Sequence, residues 1–289
     1  MSSGFASLHP LPCFLYYAGV MLLCMLLFHP IYLLTALIAL DILCVLHHQG
    51  QRLLKLLPFY LVMGGSAIVL NPLFSHRGRH ILFYFWDQPI TLEAVLYGLT
   101  ATLSMLAVLI TFQSFNYIIT PDKFMYLFAR ALPKTSLLAL MTIRFVPLFK
   151  RRLRQIELVQ GLRGVSVRQG SLRKRMRDGM TLLRVLLVWS LEDALQTADS
   201  MKARGYGTGK RSAYIVYRMD RRDIRVLLWL SLTGVICAVL WLQGFGTMKI
   251  YPRLEPLTLT LGEAAQYVSF CAFLLTPVGL EWKERLAWK

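Results

Sequence analysis

Apolar and polar positions fall into long blocks along this chain. Six apolar runs stand out, roughly Leu11–Phe28, Ile31–Leu46, Leu56–Leu70, Leu92–Phe112, Val226–Leu242 and Ala264–Leu280. A helix that crosses a bilayer needs about 20 mostly apolar residues. The second and third runs are short, so they predict helices that are little tilted, extended by flanking residues, or partly re-entrant. His29-Pro30 separates the first pair, and Pro58 falls in the first turn of the third run, where proline is tolerated. The pattern changes between the fourth and fifth runs. Thr120-Pro121-Asp122 reads as a helix start, followed by a short amphipathic helix to about Leu132 that Pro133 stops. A second helix is predicted from about Thr135 to Arg163. Its first half is apolar and its second half basic, with one stripe at Phe149, Leu153, Ile156 and Val159. Pro147 is expected to kink it between the halves. A third helix, about Leu172 to Arg204, carries Leu187, Leu191, Ala194, Ala198 and Met201 at helical spacing. Its run Met180–Leu191 is interrupted by Arg184 and is too short to span. It reads as an amphipathic helix on a membrane surface or under another protein; the plainer alternative is a stripe packed only on its own domain.

Composition gives these helices their setting. Of 289 residues, 56% are hydrophobic and 16% charged, against about 25% charged in soluble domains. That excludes a disordered chain and argues against a soluble enzyme. Lys and Arg number 32 against 15 Asp and Glu, a net of +17. Region 121–225 holds 23 of those cations and 8 of the anions, a net of +15. Cytoplasmic loops carry the Lys/Arg excess, so this region is expected in the cytoplasm, with the N-terminus and residues 281–289 on the same side. Loop 71–91, with two Arg and two His, fits that orientation least well. No Lys or Arg precedes Arg52, so the first run is expected to stay as an anchor and not to be cleaved. The expected fold is an all-α, polytopic membrane protein with five or six transmembrane helices and a cytoplasmic helical domain. The expected divisions are 1–120, 121–225 and 226–289. Nucleic acid is not an expected partner: the cations alternate with apolar stripes and no aromatic stacking platform accompanies them. Contact with anionic lipid headgroups is the simpler reading.

Candidate chemistry is sparse. Cys13, Cys24, Cys44, Cys237 and Cys271 all sit in apolar runs without a C-x-x-C pair, which suits buried hydrophobes better than a disulfide framework or zinc site. Gly205-Tyr206-Gly207-Thr208-Gly209-Lys210 resembles a phosphate loop only superficially, since its spacing is short and it follows a helix. His47-His48 does not share a helical face and reads as interfacial. Asp41 lies near the inner end of the second run; an intramembrane carboxylate is a functional candidate, although near a helix end it can reach water. No cofactor or metal is expected on this chain.

Two helix ends repeat one pattern. The second helix ends Gly161-Leu162-Arg163-Gly164 and the third Lys202-Ala203-Arg204-Gly205. Arg complements the negative end of a helix dipole and Gly takes the left-handed turn, which explains either end alone. Two such ends on neighbouring helices form a pair of cationic pegs suited to bidentate pairing with carboxylates.

Together with further stretches, these ends resemble the transmembrane (T) component of energy-coupling factor (ECF) transporters, including the cobalt-transport CbiQ type. The matching stretches are Asn71-Pro72-Leu73-Phe74-Ser75, Ile90-Thr91-Leu92-Glu93, Thr142-Ile143-Arg144-Phe145-Val146-Pro147, the first Arg-Gly end, Ala198-Asp199-Ser200-Met201, and Ala203-Arg204-Gly205-Tyr206-Gly207. They extend from about Leu53 to Tyr206. Leu162 departs from the family's usual Ala. The resemblance implies a non-catalytic scaffold in a prokaryotic cell membrane, with ATP and Mg bound by partner subunits. Leu162, Arg163, Gly164, Ala203, Arg204 and Gly205 would contact two ABC-type ATPase subunits. Leu187, Leu191, Ala194 and Leu195 would mark, by region, the docking face for a substrate-binding membrane S component carrying a vitamin or a metal ion of the cobalt or nickel type. The competing readings are a carrier or channel acting alone, and a membrane-embedded enzyme; region 121–225 contains no His for the latter.

Overall fold

The computed structural model describes residues 4–47, 49–75, 78, 80–85, 88–129, 131–167, 169–209, 217–248, 250 and 260–287. Helix dominates throughout. The elements are α1 (Pro10–Leu26), α2 (Pro30–Leu46), α3 (Gly50–Phe74), a hairpin of β1 (Ile81–Phe85) and β2 (Gln88–Thr91), α4 (Leu92–Ile118), α5 (Pro121–Ala129), α6 (Pro133–Gly161), α7 (Leu172–Ala203), α8 (Arg221–Leu242), α9 (Leu261–Leu274) and α10 (Thr276–Ala287). The chain is an all-α membrane protein with one small β-hairpin added. By length and composition α3, α4 and α8 can cross a bilayer, and α1 and α2 are shorter apolar helices of 17 residues. The third apolar run is not short after all. Residues 50–55, including Arg52 and Lys55, continue it as helix, and so do residues 71–74. The sixth run is broken at Leu275, where α9 gives way to α10 just before Pro277. Proline lacks the N–H that a continuous ladder needs.

Residues 1–124 and 217–289 form one compact unit, and residues 125–216 a second. In the first, α4 packs against α1, α2 and α3, while α8 packs on α1 and α9, and α9 on α2. Lipid offers apolar side chains no advantage in helix–helix contact, so packing and internal hydrogen bonds hold such a bundle together. Both are present here. Tyr16 stacks on Phe273, with ring centroids 5.7 Å apart, and meets Phe5 and Tyr17 edge-on. Three buried tyrosine hydroxyls are matched: Tyr16 donates to the Leu274 carbonyl (3.0 Å), Tyr32 to the Glu263 carbonyl (2.7 Å), and Tyr17 bonds Ser114 (2.8 Å). At Gly98 the backbones of α3 and α4 come so close that an added Cβ would lie 3.3 Å from the Ala67 carbonyl oxygen.

Two helices of this unit begin alike. His9-Pro10 and His29-Pro30 each place a histidine at the N-cap and a proline in the first turn. Each imidazole Nδ1 accepts the N–H two residues on, from Leu11 (3.2 Å) and Ile31 (3.3 Å). Burial holds both imidazoles below their usual pKa, the effect on His9 being partly opposed by Asp223.

Family-like residues also build a corner. Asn71, near the end of α3, donates to the Ala94 carbonyl at 2.7 Å. Thr91 caps α4 through Ala94 N–H, and the fully buried Glu93 accepts from the His80 N–H (3.2 Å). The stretches Asn71–Ser75 and Ile90–Glu93 therefore join α3, the hairpin and α4.

Candidate functional site

The second unit is built on α6 and α7. Pro133 occupies the first turn of α6, so it both ends the preceding segment and opens this helix. The helix runs through Pro147 as one element. Ser171 caps α7 by accepting the Lys174 N–H. The link between them is fixed by two bonds: Ser166 N–H donates to Asp178 (3.1 Å), and Arg175 Nε donates to the Val167 carbonyl (2.7 Å). The two helices form an antiparallel hairpin, with Phe149 against Trp189 edge-on at 6.0 Å and the Arg152 guanidinium 4.9 Å over the Trp189 ring. Of the stripe expected on α6, Phe149 and Ile156 turn inward, whereas Leu153 and Val159 are 39% and 60% exposed. Arg152 takes the inward place between them.

The two Arg-Gly ends have the same geometry. Gly164 N–H bonds the Gly161 carbonyl and Val165 N–H the Gln160 carbonyl; Gly205 N–H bonds the Lys202 carbonyl and Tyr206 N–H the Met201 carbonyl. These paired bonds, three and five residues back, are the Schellman ending. They require a left-handed residue, and Gly164 and Gly205 have φ of 77° and 76°. Arg163 and Arg204 stand one residue before the glycine at each end, both exposed. Among the described residues no hydrogen bond or ion pair engages either guanidinium. Leu162 is 91% exposed beside Arg163. The pegs are not neighbours. The Ser166–Asp178 bond puts the first beside the early turns of α7, and the second lies beyond its far end. At 1.5 Å per residue, the 26 residues from Asp178 to Arg204 separate them by roughly 40 Å.

The candidate docking face on α7 is open. Leu187, Leu191 and Leu195 are 53%, 67% and 69% exposed, and Ala194 is exposed as well. Within the second unit, these side chains of the stripe stand uncovered. In the whole unit only Ser136, Ile156, Asp178 and Leu182 are buried among the described residues.

The remaining sequence candidates lie elsewhere. Cys13, Cys24, Cys44 and Cys237 are buried free thiols and Cys271 is half-buried. Among the described residues no three or more His, Cys, Asp or Glu side chains converge as a metal site. His48 and Lys210 lie outside the described residues. His47 is buried with its Nε2 3.3 Å from Glu281, and Glu281 also accepts the Phe5 N–H at 2.9 Å. Sequence reading missed this knot, because the partners are 276 and 234 residues apart. Asp41 is half-buried on α2, with its Oδ1 buried and without a hydrogen-bond partner among the described residues. On α3, Tyr60 donates to Gln113 of α4 at 2.9 Å.

Comparison with known proteins decides the family. The CbiQ model, described as cobalt transport protein, matches residues 6–215. The chain belongs to the CbiQ/EcfT family. The energy-coupling factor transporter transmembrane protein EcfT of Staphylococcus aureus (strain 04-02981) is 24% identical over 215 residues, 67% of this chain and 79% of that protein. Its counterpart in Bacillus selenitireducens is 33% identical over 119 residues, 40% of this chain and 41% of that one. The uncharacterized protein MG181 homolog of Mycoplasma pneumoniae shares 30% over 103 residues, 35% of this chain and 24% of its own length. This CbiQ/EcfT member is thus a T component of ECF transporters, a membrane transport subunit, and the matched range takes in both Arg-Gly ends.

Proposed function

We propose that this T component is the non-catalytic scaffold that passes ATP-driven motion from two ABC-type ATPase subunits to a membrane S component, whose cargo is a vitamin or a metal ion. The observation that carries the proposal is the matched pair of Schellman ends, each presenting a free arginine, held roughly 40 Å apart by one uninterrupted helix. That spacing suits two separate acidic grooves, one on each ATPase, better than one ligand. The net +15 of region 121–225 supports a cytoplasmic position for these ends. Closure of an ATPase dimer around ATP and Mg would displace the pegs, and α6 and α7 would move as semi-rigid levers. The open Leu187–Leu195 face of α7 would carry that motion to the S component.

The test is co-purification from native membranes through a tag on the full chain. Wild type is expected to bring down two ATPase subunits per chain. R163A/R204A is expected to lose them together with uptake, because truncating one partner of a buried charge pair costs about 2–5 kcal/mol. Removal of two other cations, in R173Q/K174Q, should leave assembly intact. Retention of the ATPases by R163A/R204A, or their absence from wild type, would overturn the proposal.

A further inference from the structure

A groove of about 550 Å³ runs between α6 and α7 within the second unit. Its aliphatic lining is Ile156 and Val159 from α6 and Val185 and Val188 from α7, with Gln155 and Gln160 beside them. Val159 and Val188 are 60% and 67% exposed. Trp189 closes one side, and Arg152 and Arg184 bring a cation from each helix. Arg152 is held in place from two directions. Its guanidinium lies 4.9 Å over the Trp189 ring, and one of its N–H groups donates to Gln155 at 3.1 Å. A guanidinium has five N–H donors, so most remain for a ligand. Glu192 also lines the groove, leaving two cations against one anion.

This arrangement is amphiphilic in one direction only: greasy walls, an interfacial aromatic and a net positive charge. A free phosphate would gain nothing from the walls, and an acidic peptide would waste them. The same unit leaves Leu138, Ile143 and Val146 of α6 at 64%, 41% and 51% exposure, as a segment lying against hydrocarbon would. We infer that the groove binds one anionic phospholipid, with its phosphate on Arg152 and Arg184 and the start of an acyl chain along Val159, Val185 and Val188. Basic pockets between helices on the cytoplasmic side of a membrane take such headgroups. The inference needs only that the hairpin reaches the bilayer; it does not depend on the ATPase pegs or on the identity of any partner.

The experiment uses the full chain in phosphatidylcholine nanodiscs doped with phosphatidylglycerol, one or the other lipid being brominated near the headgroup. The Trp189 signal is taken as the difference between the wild type and W189F. Brominated phosphatidylglycerol is expected to quench it at a much lower mole fraction than brominated phosphatidylcholine. R152Q and R184Q should each reduce that preference about fivefold, and the double variant should abolish it. R173Q/K174Q, which removes the same charge outside the groove, should retain it. Each reading is a ratio within one variant, so partial loss of folded protein does not alter it. Equal quenching by the two lipids overturns the inference, as does a preference that survives R152Q/R184Q or disappears equally in R173Q/K174Q. Quenching relieved by inorganic phosphate would identify a simple anion site and would overturn it too.

Discussion

The two units of this protein differ in how much apolar side chain they enclose. In residues 1–124 and 217–289, large side chains such as Tyr16, Tyr17, Tyr32, Phe270 and Phe273 are almost wholly enclosed, and the three tyrosine hydroxyls bond main-chain carbonyls or Ser114 across the helices. In residues 125–216, only four described side chains are buried, while Leu162, Leu191 and Leu195 stand open. The first unit encloses an aromatic core, although its outer face leaves Leu22, Val62 and Phe74 exposed. The second is a hairpin whose α7 leucines stand open and whose terminal arginines meet no partner among the described residues. Stability and function are therefore expected to separate along the chain.

Mutations can break or sharpen that division. The largest effect is expected at Phe273, where F273A would empty the centre of the aromatic cluster and cost about 3–5 kcal/mol. Thermal unfolding of the purified chain in detergent should show it, and an unaffected midpoint would deny that this cluster is the core. Next comes Glu281. E281A strips the acceptor from the Phe5 N–H and the neighbour from His47, at a cost of about 1–3 kcal/mol for a buried donor left unpaired. Proteolysis should detect the released N-terminus while α6 and α7 remain protected.

A smaller effect concerns the two histidine caps. Burial lowers the pKa of His29 in the folded state, so the neutral ring is the one that fits. Its cap contributes fully above the ordinary value near 6.5 and is lost as pH falls through the depressed folded value, since protonated Nδ1 cannot accept from Ile31. The loss should amount to about 1 kcal/mol, typical of a cap. The melting temperature should fall between pH 8 and pH 5 in wild type and fall less in H29N, which caps without titrating. A decline of equal size in both would sink the assignment. The smallest change in stability belongs to the α7 face: L187S and L191S should each alter it by less than about 0.5 kcal/mol, as exposed positions do. Both should nevertheless reduce recovery of an S component in pull-downs. A large stability loss in the isolated chain would mean the stripe packs on its own protein.

Local order left clear marks in the sequence. The helix start at Pro121, the boundary at Pro133 and the two Arg-Gly ends follow from residue chemistry within five or six positions. The apolar runs located the long helices, though not their limits. Arg52 and Lys55 end a hydropathy run but do not end a helix, since both residues have good helical propensity. Pro277 falls inside the sixth apolar run, which read as one stretch, yet the helix breaks just before it. The hairpin Ile81–Thr91 carries no strict alternation and went unforeseen; it exists because α3 and α4 must be joined at a corner held by Asn71 and Glu93.

By itself the amino-acid order determined a helical membrane protein, a basic segment between apolar ones, and two helix endings that share Arg-Gly. Those features depend on hydropathy, charge and turn chemistry, which act over a few residues. Only the tertiary structure decided that the α7 stripe stays uncovered, that Arg152 lies on Trp189, that the pegs sit far apart, and that Glu281 closes on Phe5. Each of these is a meeting of side chains distant in the chain. Periodicity can say that a face exists, but only packing can say what, if anything, covers it.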